Sequence, residues 1–147
     1  MKNKAEQLIN IAKSLVGKPY KYGARMEDAP RFFDCSLFTQ YVFKQIGVDL
    51  PRSTILQADE GVEVSLENIK PGDLMFFHGE RGFYNAKFPE GIGHVVLCAG
   101  GGKAIHAASE RIQKNPKVVE QGEVEEKDLD YLISKCGPLI VIKRIIK

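Results

Sequence analysis

Over residues 5–16 apolar side chains return every three or four positions. Ala5, Leu8, Ile9, Ala12, Leu15 and Val16 share one side of a helix, with charges and amides between them. Asn3 and Glu6 stand at capping-box spacing ahead of this helix, and Gly17 followed by Pro19 ends it. After a Gly- and charge-rich loop over residues 17–33, the same period resumes across residues 34–46. There Leu37, Phe38, Tyr41, Val42 and Ile46 share a face, Asp34 is the expected N-cap and Gly47 sits at C′. A shorter helix is expected from Ser53 or Thr54 to Asp59, closed by Gly61.

From residue 71 the pattern changes to short apolar runs between turn residues. Pro71-Gly72-Asp73 is a turn leading into a strand at residues 74–77. Residues 94–99 form a β-branched strand, Gly100-Gly101-Gly102 the connection, and residues 103–107 the return strand. Val118-Val119 belongs to a further strand, a helix spans residues 127–135, and residues 139–145 form the last strand. Helices followed by a run of strands predict an α+β fold with N-terminal helices on an antiparallel sheet.

A chain of 147 residues is one domain long. With 21 Lys and Arg against 19 Asp and Glu, the net charge of +2 gives no basis for a nucleic-acid partner. The longest apolar runs, such as Leu139-Ile140-Val141-Ile142, are far short of a membrane span. Glu6, Gln7, Asn10 and Lys13 interrupt the apolar stretch that a signal peptide needs, so none is expected, and the compartment and oligomeric state stay open.

Three cysteines, Cys35, Cys98 and Cys136, leave at least one unpaired, and no C-x-x-C motif suggests a zinc ribbon or redox site. Cys98, among alternating apolar neighbours, reads as core, and Cys136 has no assigned role. Cys35 falls in the first turn of a helix, where free N–H groups and the dipole favour thiolate and can face an oxyanion. On that reasoning its pKa drops below about 8.5 and it alkylates well below pH 8. A thiol attacking an amide also needs an imidazole. His94 and His106 lie twelve residues apart across the Gly-rich turn, a spacing that brings two rings side by side. His94 is then the base and His106 the residue that orients it. His78, past the Phe76-Phe77 strand, reads as a loop residue.

Several motifs then occur in order: Gly17-Lys18-Pro19-Tyr20-Lys21-Tyr22-Gly23, Phe33-Asp34-Cys35-Ser36-Leu37-Phe38, and Leu50-Pro51-Arg52-Ser53-Thr54 with Gln57. Pro71-Gly72-Asp73-Leu74-Met75-Phe76-Phe77, Gly93-His94-Val95 and Ile105-His106-Ala107 follow. This series closely resembles the signature of the NlpC family of bacterial cell-wall cysteine peptidases. The resemblance implies a papain-like fold; residues 1–147 then read as a single catalytic domain, and no separate wall-binding domain is expected among them, which is unusual for a housekeeping wall enzyme. It also implies Cys35 as nucleophile, His94 as base, His106 as the third catalytic residue, and Tyr20 lining the site near the oxyanion. It further implies that Asp34, Ser36, Arg52 and Ser53 contact substrate, a peptidoglycan stem peptide cut after γ-linked D-Glu, towards diaminopimelate or Lys. No metal or cofactor is expected.

Structural roles compete at several of these positions. Tyr20 has a packing role open to it beside Pro19, with Tyr22 an equally placed aromatic; Asp34 has a capping role and Arg52 a solvated surface pair. Leu37, Ala24 and Val96 replace glycines usual in the family, which alters packing near the site. The sixteen residues from 78 to 93, with Arg81, Phe83, Tyr84, Lys87 and Phe88, form either a cleft wall or a surface loop. Alternatives keep the Cys-His-His machinery on another amide or thioester: a delivered toxin, a phage lysis or tail peptidase, or an acyl transferase. A Cys35/His94/His106 zinc site lacks a closely spaced ligand pair, and a non-catalytic peptide binder would not need the full set.

Overall fold

The computed structural model describes residues 3–79, 82–113, 115–117 and 119–146, including all their side chains except those of Arg111 and Glu120. Helix α1 (Lys4–Ser14) opens with Asn3 as N-cap, whose Oδ1 accepts from Glu6 N at 2.8 Å, and it buries Leu8, Ile9 and Ala12. Helix α2 (Cys35–Lys44) opens on Asp34, whose carboxylate accepts from Leu37 N at 2.8 Å. It ends in the hydrogen-bond pattern of a Schellman motif: Gly47 N donates to Lys44 O and Val48 N to Phe43 O, with Gly47 at φ +82°. The third helix, α3 (Thr54–Gln57), stops two residues short of expectation, and Ser53 at its N-cap makes no capping side-chain bond. Gln57 is fully buried instead, donating to Ser36 O and Pro51 O and accepting from Thr39 Oγ1, which ties α3 to α2.

Six antiparallel strands follow: β1 (Val62–Glu63), β2 (Leu74–Phe77), β3 (His94–Gly100), β4 (Lys103–Gln113), β5 (Val119–Asp128) and β6 (Leu139–Arg144). Helix α4 (Leu129–Lys135) lies between the last two, and the sheet order is β1-β6-β2-β3-β4-β5. The expected α+β architecture is therefore present. Alternation splits the sheet into two apolar faces. Leu74, Phe76, Val95, Leu97 and Ile105 meet α1 and α2, whereas Met75, Phe77, Val96 and Ala104 meet Leu132 of α4. At the start of β2 the buried Asp73 carboxylate accepts from Arg144 Nε at 2.9 Å and Nη2 at 2.8 Å, fastening it to β6.

The sheet departs from the sequence reading at β4 and β5. The return strand runs on to Gln113 rather than ending near residue 107, and its partner spans ten residues. β5 escapes the periodicity because Val124 alone is buried among polar and acidic neighbours; Val118, read with Val119 as strand, lies outside the described residues. Backbone pairing in one register from Lys103↔Asp128 to Arg111↔Glu120, shifted by a residue at Gln113↔Val119, forms the strand without an apolar stripe. On its other edge β5 holds residues 17–20. Gly17 N donates to Val124 O at 2.8 Å, Tyr20 N to Gly122 O at 2.9 Å and Val124 N to Lys18 O at 2.9 Å.

The segment between β2 and β3 folds back on itself. Phe83 and Ile92 exchange backbone hydrogen bonds, Phe88 and Ile92 are buried, and Phe83 and Tyr84 stand exposed. Arg81 lies outside the described residues, while Lys87 pairs with Asp59 and His78 Nδ1 bonds the Glu90 carbonyl, making His78 a loop residue. Cys98 is core, as are Leu37, Ala24 and Val96.

Gly122 faces Ala108 so closely that an added Cβ would lie 1.9 Å from the Ala108 carbonyl oxygen. Gly122→Ala is expected to push β4 and β5 apart and cost about 1–3 kcal/mol, as overpacking does. Chemical denaturation of the two proteins checks this; an unchanged midpoint would mean that the hairpin yields freely.

Candidate active site

Cys35 reaches the site because Asp34 starts a helix that packs against β3. The backbone N–H groups of Val95 and Ser36 stand close enough to the Cys35 sulfur to favour its thiolate, which places the sulfur at the start of β3, next along the chain from His94. His94 Nε2 lies 2.7 Å from His106 Nδ1, with the rings at 73°, so the predicted pairing across the Gly-rich turn is present. Sequence reasoning missed the next member. His106 pairs across the ladder with Glu125, and its Nε2 lies 3.0 Å from Glu125 Oε1. Glu125 was hidden in an acidic run; the only available signal was the register of a strand that has no periodicity.

This row of groups has one self-consistent proton arrangement when the imidazoles are neutral. An ionised carboxylate only accepts, so His106 carries its proton on Nε2 and offers the lone pair of Nδ1. His94 must then donate from Nε2, which leaves its Nδ1 lone pair free for a thiol. Burial keeps both rings neutral. His94 is pushed down to about 3 by desolvation and by His106 beside it. His106 is pushed down to about 4 by desolvation and by Lys135 and Lys127.

Cys35 departs from expectation. The helix end and the Arg52 guanidinium favour thiolate, but desolvation of the sulfur, with the Asp34 carboxylate beside it, outweighs them. The thiol is pushed up to about 12, so the substrate-free site holds a neutral thiol and a neutral imidazole.

Behind Cys35, Arg52 Nη1 donates to Ser36 Oγ at 2.7 Å and Nη2 to Asp34 Oδ2 at 2.7 Å, and Nη2 also bonds the Ala24 carbonyl. Asp34 is thus both cap and ion-pair partner, and Arg52 belongs to a part-buried brace rather than to a solvated surface pair. The polar atoms of Asp34, Ser36 and Arg52 are engaged with one another, and Ser53 sits at the start of α3. Tyr20 is carried by backbone pairing with Gly122 and Phe33 into a cavity of about 240 Å³, which it lines with His94, His106, Glu125, Ser109 and Lys135. Tyr22 is exposed instead, so of the two aromatics Tyr20 faces the histidines.

A cysteine at a helix end, served by histidines on an antiparallel sheet, defines the papain-like class of fold and site. Residues 17–129 match the NlpC/P60 family, and the chain belongs to it. It is 41% identical over 96 residues to a probable endopeptidase p60 of Listeria grayi, covering 65% of this chain and 16% of that protein. A γ-D-glutamyl-L-lysine dipeptidyl-peptidase of Bacillus cereus is 32% identical over 115 residues, covering 78% of this chain and 31% of that protein. The chain therefore spans less than a third of the length of these relatives. The solved NlpC/p60 domain of the peptidoglycan hydrolase SagA superposes with a TM-score of 0.69 at 27% identity, covering 95% of this chain and 97% of that one. Among the described residues no helix is long and apolar enough to cross a membrane.

Because Cys35 is raised, its thiolate fraction in the free protein is small at neutral pH and grows as pH rises. The alkylation rate at Cys35, followed by peptide mass spectrometry with Cys35→Ala as blank, is expected to climb through the alkaline range without a plateau below pH 8. A plateau there would show a resting thiolate–imidazolium pair.

Proposed function

We propose that this chain is a cysteine endopeptidase that hydrolyses peptidoglycan stem peptides at the amide after γ-linked D-Glu, towards diaminopimelate or Lys. The observation that carries the reading is the His94–His106–Glu125 row, which lines an open cavity, with the helix-end thiol of Cys35 beside the start of β3. The names of the relatives support the substrate class. Lys135, lining the same cavity, suits a γ-linked glutamate, which keeps its α-carboxylate free.

Cys35 Sγ attacks the carbonyl as its proton passes to His94 Nδ1. The two are neutral at rest, so proton transfer accompanies attack instead of preceding it. His106 accepts from His94 Nε2 throughout, and its bond to Glu125 favours the positive charge that His94 acquires. The first-turn N–H groups of α2, with Tyr20, receive the oxyanion. His94 returns the proton to the leaving amine, then takes one from the water that hydrolyses the thioester. Asp34, Ser36 and Arg52 act here as the brace that holds Cys35 rather than as the main substrate contacts.

Incubation of the protein and of Cys35→Ala with defined stem peptides and whole peptidoglycan, read by mass spectrometry, is expected to give cleavage after D-Glu in the wild type alone. Intact substrates from several wall types would sink the peptidoglycan reading and turn the search to other amides and thioesters. Within the same assay, Glu125→Ala is expected to lower kcat by roughly ten- to a hundredfold, as loss of an orienting outer partner does. Glu125→Gln, whose amide oxygen still accepts from His106, should recover most of that rate. Equal losses in both variants would mean that the carboxylate does more than orient.

A further inference from the structure

Cys136, left without a role by the sequence and by the proposed mechanism, caps the C-terminal end of α4 over the same cavity as the two histidines. One ligand atom from each of His94, His106 and Cys136 can be chosen so that all three lie within 4.8 Å of one another. We propose that these three side chains form a site for a thiophilic divalent cation of the Zn²⁺ class, whose occupancy switches off the hydrolysis; the inhibitory half rests on the proposed function.

The chemistry of the donors fits. Zinc with bonds of about 2.0–2.3 Å spaces tetrahedral ligands roughly 3.3–3.6 Å apart, so ligand atoms that lie within 4.8 Å of one another need only small shifts, the rings parting from 2.7 Å. His106 coordinates through Nδ1 and keeps its Nε2 proton on Glu125, the carboxylate–histidine–metal arrangement that orients such ligands. Burial pushes the Cys136 thiol up, with Lys135 beside it working the other way and Glu125 adding to the rise, so its proton is one that the metal displaces. The Glu125 carboxylate offsets the cation that Lys135 adds to the cavity, and the fourth metal position is left to water.

Occupancy and catalysis exclude each other through one proton. A metal on His94 Nε2 moves the proton of that ring to Nδ1, the nitrogen that must accept from Cys35. The His94–His106 hydrogen bond is replaced by two metal–nitrogen bonds, and the Cys136 thiol releases one proton to solvent. No electron changes hands.

The test uses the full chain with Cys35→Ala, which removes the competing thiol, and Co²⁺ as the probe. A near-ultraviolet thiolate-to-cobalt band with one proton released per ion is expected, and it should vanish in Cys35→Ala/Cys136→Ser and in Cys35→Ala/Cys136→Ala. Absence of the band, or its survival in both double variants, would overturn the site whatever the protein hydrolyses. With an active substrate in hand, Zn²⁺ is titrated against wild type and Cys136→Ser, each rate divided by its own metal-free rate. Cys136→Ser should need at least about tenfold more zinc for the same fractional loss. Equal sensitivity would assign inhibition to Cys35 with His94 and overturn the proposal.

Discussion

Two imidazoles 2.7 Å apart must agree on which of them carries the proton between them. Left alone, the His94–His106 pair has two equivalent answers, and only one leaves a lone pair on His94 for the thiol. Glu125 removes the ambiguity because its carboxylate accepts and does not donate. The usefulness of the site therefore rests on β5, a strand with almost no apolar face of its own. Its register places Glu125 opposite His106, and its outer edge carries residues 17–20 and with them Tyr20. Gly122 makes this possible, since only a residue without Cβ lets β5 lie that close to Ala108.

The second organising constraint is dielectric. A helix N-terminus stabilises a thiolate by a few tenths to about 2 kcal/mol, whereas full desolvation of an ionisable group shifts its pKa by up to about 3–5 units. In Cys35 the larger effect wins, helped by Asp34, which must stand next to that thiol because it caps the helix that presents it. The Arg52 guanidinium is the counterweight: it pairs Asp34, holds Ser36 and grips the loop at Ala24 in one set of contacts. The same burial depresses both histidines and keeps the relay neutral.

Much of this was legible in the residues. The period of residues 5–16 and 34–46, the caps Asn3 and Asp34 and the Gly-rich turn between His94 and His106 are local signals, and each element formed close to where its signal stood. The placement of Cys35 in a first turn followed from Asp34 alone. The lengths of β4 and β5 were not legible, because pairing rather than side-chain character extends them, and a strand such as Val119–Asp128 carries its instruction in its partner. The two-residue β1 is set in the same way by the end of β6.

By itself the sequence determined the order of most elements, the α+β class and the candidacy of Cys35, His94 and His106, because caps, periods and turn residues act over a few positions. Only the tertiary structure decided the protonation of those residues. The charge of a thiol or an imidazole is a balance between solvent removed and neighbours supplied, and both come from distant segments. Arg52 reaches Asp34 from a later loop, Lys135 reaches His106 from α4, and Glu125 arrives on a strand that sequence periodicity could not find.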